Sequence, residues 1–380
     1  MNQSLKLELT NIRHQIHHHA ELSGCEKNTI LLLTEKLNKL RHPPQLFPLD
    51  QNGLLARFSG SHEGPNILLR ADIDALPIQE SSEKSYASVT AGVAHLCGHD
   101  GHCSSLLGCA IQLSETPLVR GQVDLLFQPA EETGQGGPMM VRALKQLGVQ
   151  YDAAFAYHNL PGYPLGQVVL RHQHFTAAVQ SIAIQFKGRI AHAAEPEQGI
   201  CPAYAIAQLL QLAERWSLNQ PEKADFQLIT PICVHMGETA YGTMPGDGEV
   251  HFTLRCWGNE RMDLLAKKFQ QQIEQIAHDQ QLAVHYDWLD IFRSCENHTE
   301  AVDVLEQICH QFGQEVYHRP QPFKWGEDFG CFTEHFNGAM FGLGSGEQQP
   351  PLHHIDFDYP DELLVPAAKM FEHIARHYCG

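Results

Sequence analysis

The feature that most constrains this chain is a change of rhythm near residue 177. Before it, apolar segments at strand spacing alternate with segments at helix spacing. Residues 5–40 carry helical periodicity (Ile12, Ile16, Ile30, Leu33, Leu37), broken at Gly24. Beyond the Pro43-Pro44 turn, strands are expected at 53–58 and 66–71, a helix at 104–114, a strand at 122–128, a helix near 139–147 and a strand at 153–157. That alternation predicts an α/β domain with a largely parallel sheet. From 177 the order becomes strand, helix, strand, strand, helix, strand (179–186, 202–216, 226–234, 250–256, 261–278, 283–287), the split βαββαβ arrangement of a small ferredoxin-like domain. After residue 289 the first style resumes, with a helix at 299–312, a strand near 339–343 and a last helix at 361–378. The expected architecture is an α/β domain formed by residues 1–176 and 289–380, with a mixed, largely parallel sheet flanked by helices and a ferredoxin-like domain inserted at 177–288.

At 380 residues the chain is comfortable for two domains, which usually run about 100–200 residues. A hydrophobic content of 43% against 18% charged residues can bury a large core, which excludes a disordered or collagen-like chain. With 44 acidic and 26 basic side chains the net charge is −18, so nucleic acid and anionic membranes are unfavourable partners. No apolar run reaches the roughly 20 residues of a membrane helix. The amino terminus lacks the basic-then-apolar pattern of a secretion signal. The 11 cysteines include no C-x-x-C pair and read as reduced thiols, so a soluble cytoplasmic protein is expected. The 25 histidines raise the expectation of a metal or acid–base site only slightly, because residues such as His17, His18 and His19 suit surface or packing roles.

Four short segments hold most of the possible ligands. Cys97-Gly-His-Asp-Gly-His102 precedes a helix, and its thiol and imidazoles suit zinc and similar transition metals. Packing at a helix entry is the plain alternative. Gln128-Pro-Ala-Glu-Glu132 ends an apolar strand, where paired carboxylates can divide metal ligation from proton transfer; a solvated acidic turn would look the same. Tyr157-His158-Asn159 and Leu352-His353-His354 each offer imidazoles that, taken singly, suit structural roles better than ligation. Taken as a set at strand-to-loop junctions of one sheet, these groups can build an N, S and O metal site with room for water. Asp72 and Asp74 alternate onto one side of their strand end and can support the ligands from behind.

Leu69–Pro77 (LRADIDALP), CGHDGH (97–102) and QPAEE (128–132) resemble, in order and spacing, the amidohydrolase branch of the dinuclear metallo-aminoacylase and carboxypeptidase family, which includes hippurate hydrolase, N-acyl-amino-acid amidohydrolases and auxin-conjugate hydrolases. The resemblance covers nearly the whole chain. Arg13–Leu22 is similar to the family's opening helix, with Ala20 in place of its proline; Glu327-Asp-Phe329 and Leu352-His353 with Phe357-Asp358 are similar to its closing segments. The resemblance implies a catalytic domain and an inserted lid through which subunits usually form a homodimer. It implies Cys97, His99, Glu132, His158 and His353 as ligands of two divalent ions (Mn, Zn, Co or Ni) and Glu131 as general base and later acid. His353 is preferred to His354 because Phe357-Asp358 stands at the family's offset from it, and His102 becomes a helix residue near the site. It further implies His192, from the partner's lid, as a donor to the oxyanion and Arg255 as a partner for a substrate carboxylate, although a surface ion pair would equally explain that arginine.

Two departures accompany the resemblance. Ile190 and Ala191 stand where the family has glycines before the lid histidine, and Gly242 replaces an asparagine that reaches substrate, a role Tyr241 is placed to supply. The expected activity is metal-dependent hydrolysis of the amide of N-acyl amino acids, releasing a carboxylic acid and a free amino acid. A metallo-dipeptidase or carboxypeptidase, a catalytically impaired binding protein on the same fold, and a cysteine protease using Cys97 are the competing readings. The C-x-H ligand arrangement favours the amidohydrolase branch, since the peptidase branches place a bridging aspartate there.

Overall fold

A computed structural model describes residues 2–81 and 83–380, and the chain divides into two compact units. The first comprises residues 1–175, 295–319 and 327–380; the second comprises 176–294 with 320–326. The second unit runs past the expected return at 289, because the strand Ala283–Phe292 continues beyond 287 through Trp288, Leu289, Ile291 and Phe292. Residues 320–326 join the second unit through the bridge between Thr176 and Phe323.

The first unit is built on an eight-stranded mixed sheet. Its order is Gln45–Leu49, Gly53–Ser59, Arg120–Gln128, His62–Asp72, Ala153–Pro161, Gly338–Gly346, Val168–Leu170 and Val316–His318. The central pairs are parallel: His62–Asp72 runs beside both Arg120–Gln128 and Ala153–Pro161, and Ala153–Pro161 beside Gly338–Gly346. Helices cover these strands on their faces, so Ile67, Leu68 and Leu69 are all buried instead of alternating. Three strands of this sheet escaped the sequence reading. Gln45–Leu49 holds Pro48, tolerable because this is an edge strand, and Val168–Leu170 and Val316–His318 have only 3 residues each.

The helix expected from 104 begins five residues earlier and spans His99–Glu115. Its first turn is His-Asp-Gly-His, without apolar periodicity, so sequence patterning placed it in a loop. Two glycines permit this start. Gly98 takes φ 93°, and a Cβ on Gly101 would lie 2.3 Å from the Tyr359 ring. At the end of the helix Asn2–His18, His17 proves fully buried, whereas His19, just past it, is exposed.

The second unit has a four-stranded antiparallel sheet in the order Gln227–Met236, Asp247–Cys256, Ala178–Lys187, Ala283–Phe292. With helices Ala203–Trp216 and Asn259–Asp279 after the first and third strands in sequence, this is the ferredoxin-like βαββαβ order. The even residues of Asp247–Cys256 are buried in a core with Leu209, Phe269 and Ile273 from the helices. The odd ones, His251 and Thr253 among them, carry the polar face.

Candidate metal centre

The carboxyl ends of the parallel strands converge on one spot, where open α/β sheets place their ligand sites. His62–Asp72 delivers Asp72 and, just past its end, Asp74; Arg120–Gln128 leads into Glu131 and Glu132; Ala153–Pro161 carries His158; the loop after Gly338–Gly346 brings His353. Cys97 and His99 arrive from the helix entry opposite. Cys97 Sγ lies 3.4 Å from His158 Nε2, and Glu132 Oε1 lies 3.8 Å from His99 Nε2 and 3.7 Å from His353 Nε2. Ligand atoms of Cys97, His99 and His158, of Cys97, Glu132 and His353, and of His99, Glu131 and Glu132 each fall within 4.8 Å of one another. His354 turns away, with Nδ1 3.6 Å from Asp356. His353 is one of the few non-glycine residues at positive φ, at 66°, a strained backbone of the kind found at functional sites.

Buried partners aim the imidazoles. His99 Nδ1–H donates to the Asp74 carbonyl at 3.0 Å, with the Asp74 carboxylate at 3.2 Å, so its Nε2 lone pair faces the cluster. His158 Nδ1–H donates to the Asn159 carbonyl at 2.8 Å, turning its Nε2 towards Cys97 in the same way. His102 also comes within 4.8 Å of Asp72 and His99, but both its ring nitrogens are engaged, with Asp72 Oδ1 at 2.6 Å and the Asn159 N–H at 3.1 Å. His99 Nε2 and Glu132 Oε1 are buried without any hydrogen-bond partner. Unpartnered buried nitrogen and oxygen are costly, and these two face each other across a gap lined by thiol, imidazole and carboxylate. That donor set fits divalent transition metals.

Electrostatics point the same way. Burial, then the charges of Glu327 and Glu132, hold the Glu131 carboxyl well above the usual range. Burial likewise raises Glu132 to about 7, and the Cys97 thiol rises through burial followed by the Glu132 and Glu131 charges. A cation in the gap reverses each of these shifts, since it favours carboxylate and thiolate.

Some contributors were given no role by the sequence analysis. Arg70 is fully buried beneath the site and donates to Gln128 at 2.9 Å, Asp72 at 2.7 Å and Asp328 at 2.8 Å, with Glu327 at 3.1 Å. An arginine inside the otherwise apolar run of a central parallel strand was the clue, because such a charge needs buried counter-ions. Glu131 receives the Asp328 N–H at 3.3 Å.

His192 and Arg255 belong to the second unit. His192 is exposed on the two-residue strand Ala191–His192, paired with Thr243–Met244. Its Nδ1 accepts the Ala194 N–H at 3.1 Å, so the neutral ring carries its proton on Nε2. Arg255 donates to the Lys324 carbonyl at 2.7 Å, and among the described residues no carboxylate forms an ion pair with it. Burial alone lowers its pKa.

The sequence profile of peptidase family M20/M25/M40 matches residues 68–377. An N-acetylcysteine deacetylase from Bacillus subtilis (strain 168) is 29% identical over 372 residues, covering 97% of this chain and 96% of its own. Hippurate hydrolase from Campylobacter jejuni is 29% identical over 379 residues, covering 98% and 97%. Among solved structures, a dinuclear metal-binding peptidase of the M20 family from Bacillus subtilis aligns with a TM-score of 0.83 at 27% identity, covering 99% of each chain. The chain belongs to peptidase family M20/M25/M40 and is a metal-dependent hydrolase.

Proposed function

We propose that the chain hydrolyses the amide bond of N-acyl amino acids, with two divalent ions held by Cys97, His99, Glu132, His158 and His353. The observation that carries this reading is the buried, unpartnered pair His99 Nε2 and Glu132 Oε1 inside a mixed N, S and O cluster, with Glu131 beside it. Bound ions supply Lewis acidity and bring the pKa of a neighbouring water down towards neutrality. Glu131 accepts the proton of the attacking water and passes it to the leaving amine. Asp74 keeps His99 oriented through its Nδ1–H. His192, with its proton on Nε2, is suited to donate to the oxyanion of the tetrahedral intermediate. Arg255, which pairs with no carboxylate among the described residues, takes the carboxylate of the substrate.

The cysteine-protease reading loses its footing at Cys97, whose thiol is held protonated by burial and neighbouring carboxylates. Assembly as a homodimer through the second unit is part of the proposal. Its support is the edge strand Gln227–Met236, which exposes Ile232 and Val234 beside unpaired backbone groups.

The test is hydrolysis of N-acetylcysteine, hippurate and a dipeptide by metal-depleted protein, before and after Mn²⁺, Zn²⁺, Co²⁺ or Ni²⁺. Metal-restored cleavage of the two acyl amino acids is expected. Cleavage of the dipeptide alone would move the chain to the peptidase reading. Binding of two ions without any turnover would leave a binding protein on this fold. Mixed dimers of His192→Ala and Glu131→Gln subunits recover activity if His192 works across the interface.

A further inference from the structure

The backbone from which Glu131 and Glu132 hang is gripped by a segment more than a hundred residues earlier. Glu26, directly before the helix Lys27–Asn38, is fully buried, and its Oε1 accepts two backbone N–H groups, from Gly24 at 2.8 Å and from Ala130 at 2.8 Å. Ala130 immediately precedes Glu131 and has φ 56°. A residue with a Cβ enters that left-handed region only where its surroundings impose it. The other side of the turn is tied as well: the Gly136 N–H donates to the Ala130 carbonyl at 2.9 Å. The Glu132 N–H donates to Asp74 Oδ2 at 3.0 Å, and that same oxygen accepts the Ser23 hydroxyl at 2.6 Å. The gripping segment is itself anchored, since the Ala75 N–H donates to the Glu21 carbonyl at 2.8 Å. Glu26 thus holds one end of the Ala130–Glu132 turn, and Asp74, itself tied to Ser23, holds the other.

We infer that Glu26 is a positioning residue for hydrolysis: by accepting the Ala130 N–H it imposes the left-handed peptide that aims Glu131 at the reacting water and Glu132 at the metal. The inference rests on the roles proposed above for those two glutamates. Glu26 acts through the Ala130 peptide, and what matters is an accepting oxygen at that place. Its second oxygen, Oε2, has no partner, so an amide there displaces no bond.

The experiment compares Glu26→Ala, Glu26→Asp, Glu26→Gln and the double variant Glu26→Ala/Ala130→Gly with wild type, and includes Glu131→Gln as a control. The readouts are kcat and KM on N-acetylcysteine and hippurate, metal affinity by chelator competition, and amide hydrogen exchange over residues 128–134. Glu26→Ala lowers kcat about 10- to 100-fold with KM little changed, weakens metal retention and accelerates exchange in that segment. Glu26→Asp, whose oxygen is withdrawn by one methylene, shows the same loss if Glu26→Ala does not fold. Glu26→Gln recovers most of kcat because its carbonyl oxygen still accepts. Ala130→Gly recovers part of it in the Glu26→Ala background, because glycine adopts positive φ without a Cβ penalty. Wild-type kcat and exchange in Glu26→Ala would overturn the inference, as would a Glu26→Gln enzyme no better than Glu26→Ala. Full activity in Glu131→Gln would instead sink the assignment of the base, and is told apart because hydrogen exchange does not depend on turnover.

Discussion

Asp72 separates two buried clusters that are finished in opposite ways. On one side its Oδ2 takes Arg70 at 2.7 Å, and the guanidinium goes on to Gln128 and Asp328, so the negative charges there meet a cation the chain carries itself. On the other side the same oxygen stands 3.9 Å from His99 Nε2, which has no hydrogen-bond partner, and Glu132 Oε1 has none either. Both clusters are rich in carboxylates, and the second opens to solvent only on the side of His353 and Glu132. One was closed by evolution with an arginine, whose charge cannot be removed near neutral pH. The other is left open with thiol, imidazole and carboxylate donors, a set that an exchangeable divalent ion completes and that a fixed side-chain cation would block. The difference between the two clusters lies in whether the chain itself supplies the positive charge.

The largest effect is expected where the open cluster does chemistry. Glu131→Gln keeps size and bound metal but cannot accept a proton, so kcat falls about 10²- to 10⁴-fold with metal stoichiometry unchanged. Steady-state kinetics with metal analysis decides it, and near-normal turnover would place the base elsewhere. The closed cluster answers with stability instead. Arg70→Met strands Asp72, Glu327 and Asp328 as buried charges, at a cost of about 3–5 kcal/mol, read by chemical denaturation with metal present. Removing metal from wild type lowers the melting temperature too, but that loss is recovered by adding the ion back, with about 2.7 kcal/mol restored at a free concentration of 100 times Kd. If metal addition rescued Arg70→Met as fully, the two clusters would not be distinct.

The fold was legible where burial writes itself as pattern. The central strands are unbroken apolar runs because both faces are covered, and the second unit shows period-two alternation because one face is. The site was legible only as residue types at strand ends. Asp72 and Asp74 were read as supports, but the ion cluster behind them was not: Arg70 sits inside LRADIDALP without any spacing that announces three carboxylate partners, and Asp328 is 258 residues away from it. The helix start at His99 was missed because His99, Asp100 and His102 occupy the turn that apolar residues would otherwise mark. Side chains kept for chemistry erase the periodicity from which secondary structure is read.

A third cluster lies between the two extremes, since its cation is partly titratable. Buried Arg13 and His17 share the Asp100 carboxylate at 3.0 and 2.9 Å, and His17 also reaches Glu80 at 3.2 Å. Burial opposes the charge on His17, but hydrogen bonds to Asp100 and Glu80 outweigh it and raise the pKa from 6.5 to about 9. A raised folded-state pKa stabilises fully below the unfolded value and fades as pH climbs through the folded one. The advantage of wild type over His17→Gln is therefore largest below about pH 6.5, up to about 3 kcal/mol, and declines until pH 9 is passed. Urea unfolding of both proteins from pH 6 to 10 measures it; a difference that stayed constant would mean that His17 works by packing.

The smallest expected effect tests the second unit, where recognition and not charge storage is at stake. Gly242 adjoins His192 through the Ala193 N–H, which donates to the Gly242 carbonyl at 2.9 Å. A Cβ built on Gly242 meets nothing within 4 Å, and its backbone is not left-handed, so a side chain enters without strain. Gly242→Asn should leave stability within about 0.5 kcal/mol of wild type. An added hydrogen bond to substrate of about 1 kcal/mol would lower KM for an N-acyl amino acid roughly 5-fold at unchanged kcat, since it would act equally on ground and transition states. Unchanged KM with unchanged stability would show that this position does not reach substrate, and attention would pass to Tyr241, which is 92% exposed beside it. A gain in kcat instead would mean that the second unit tightens only on the transition state, and would tie Gly242 to the work of His192.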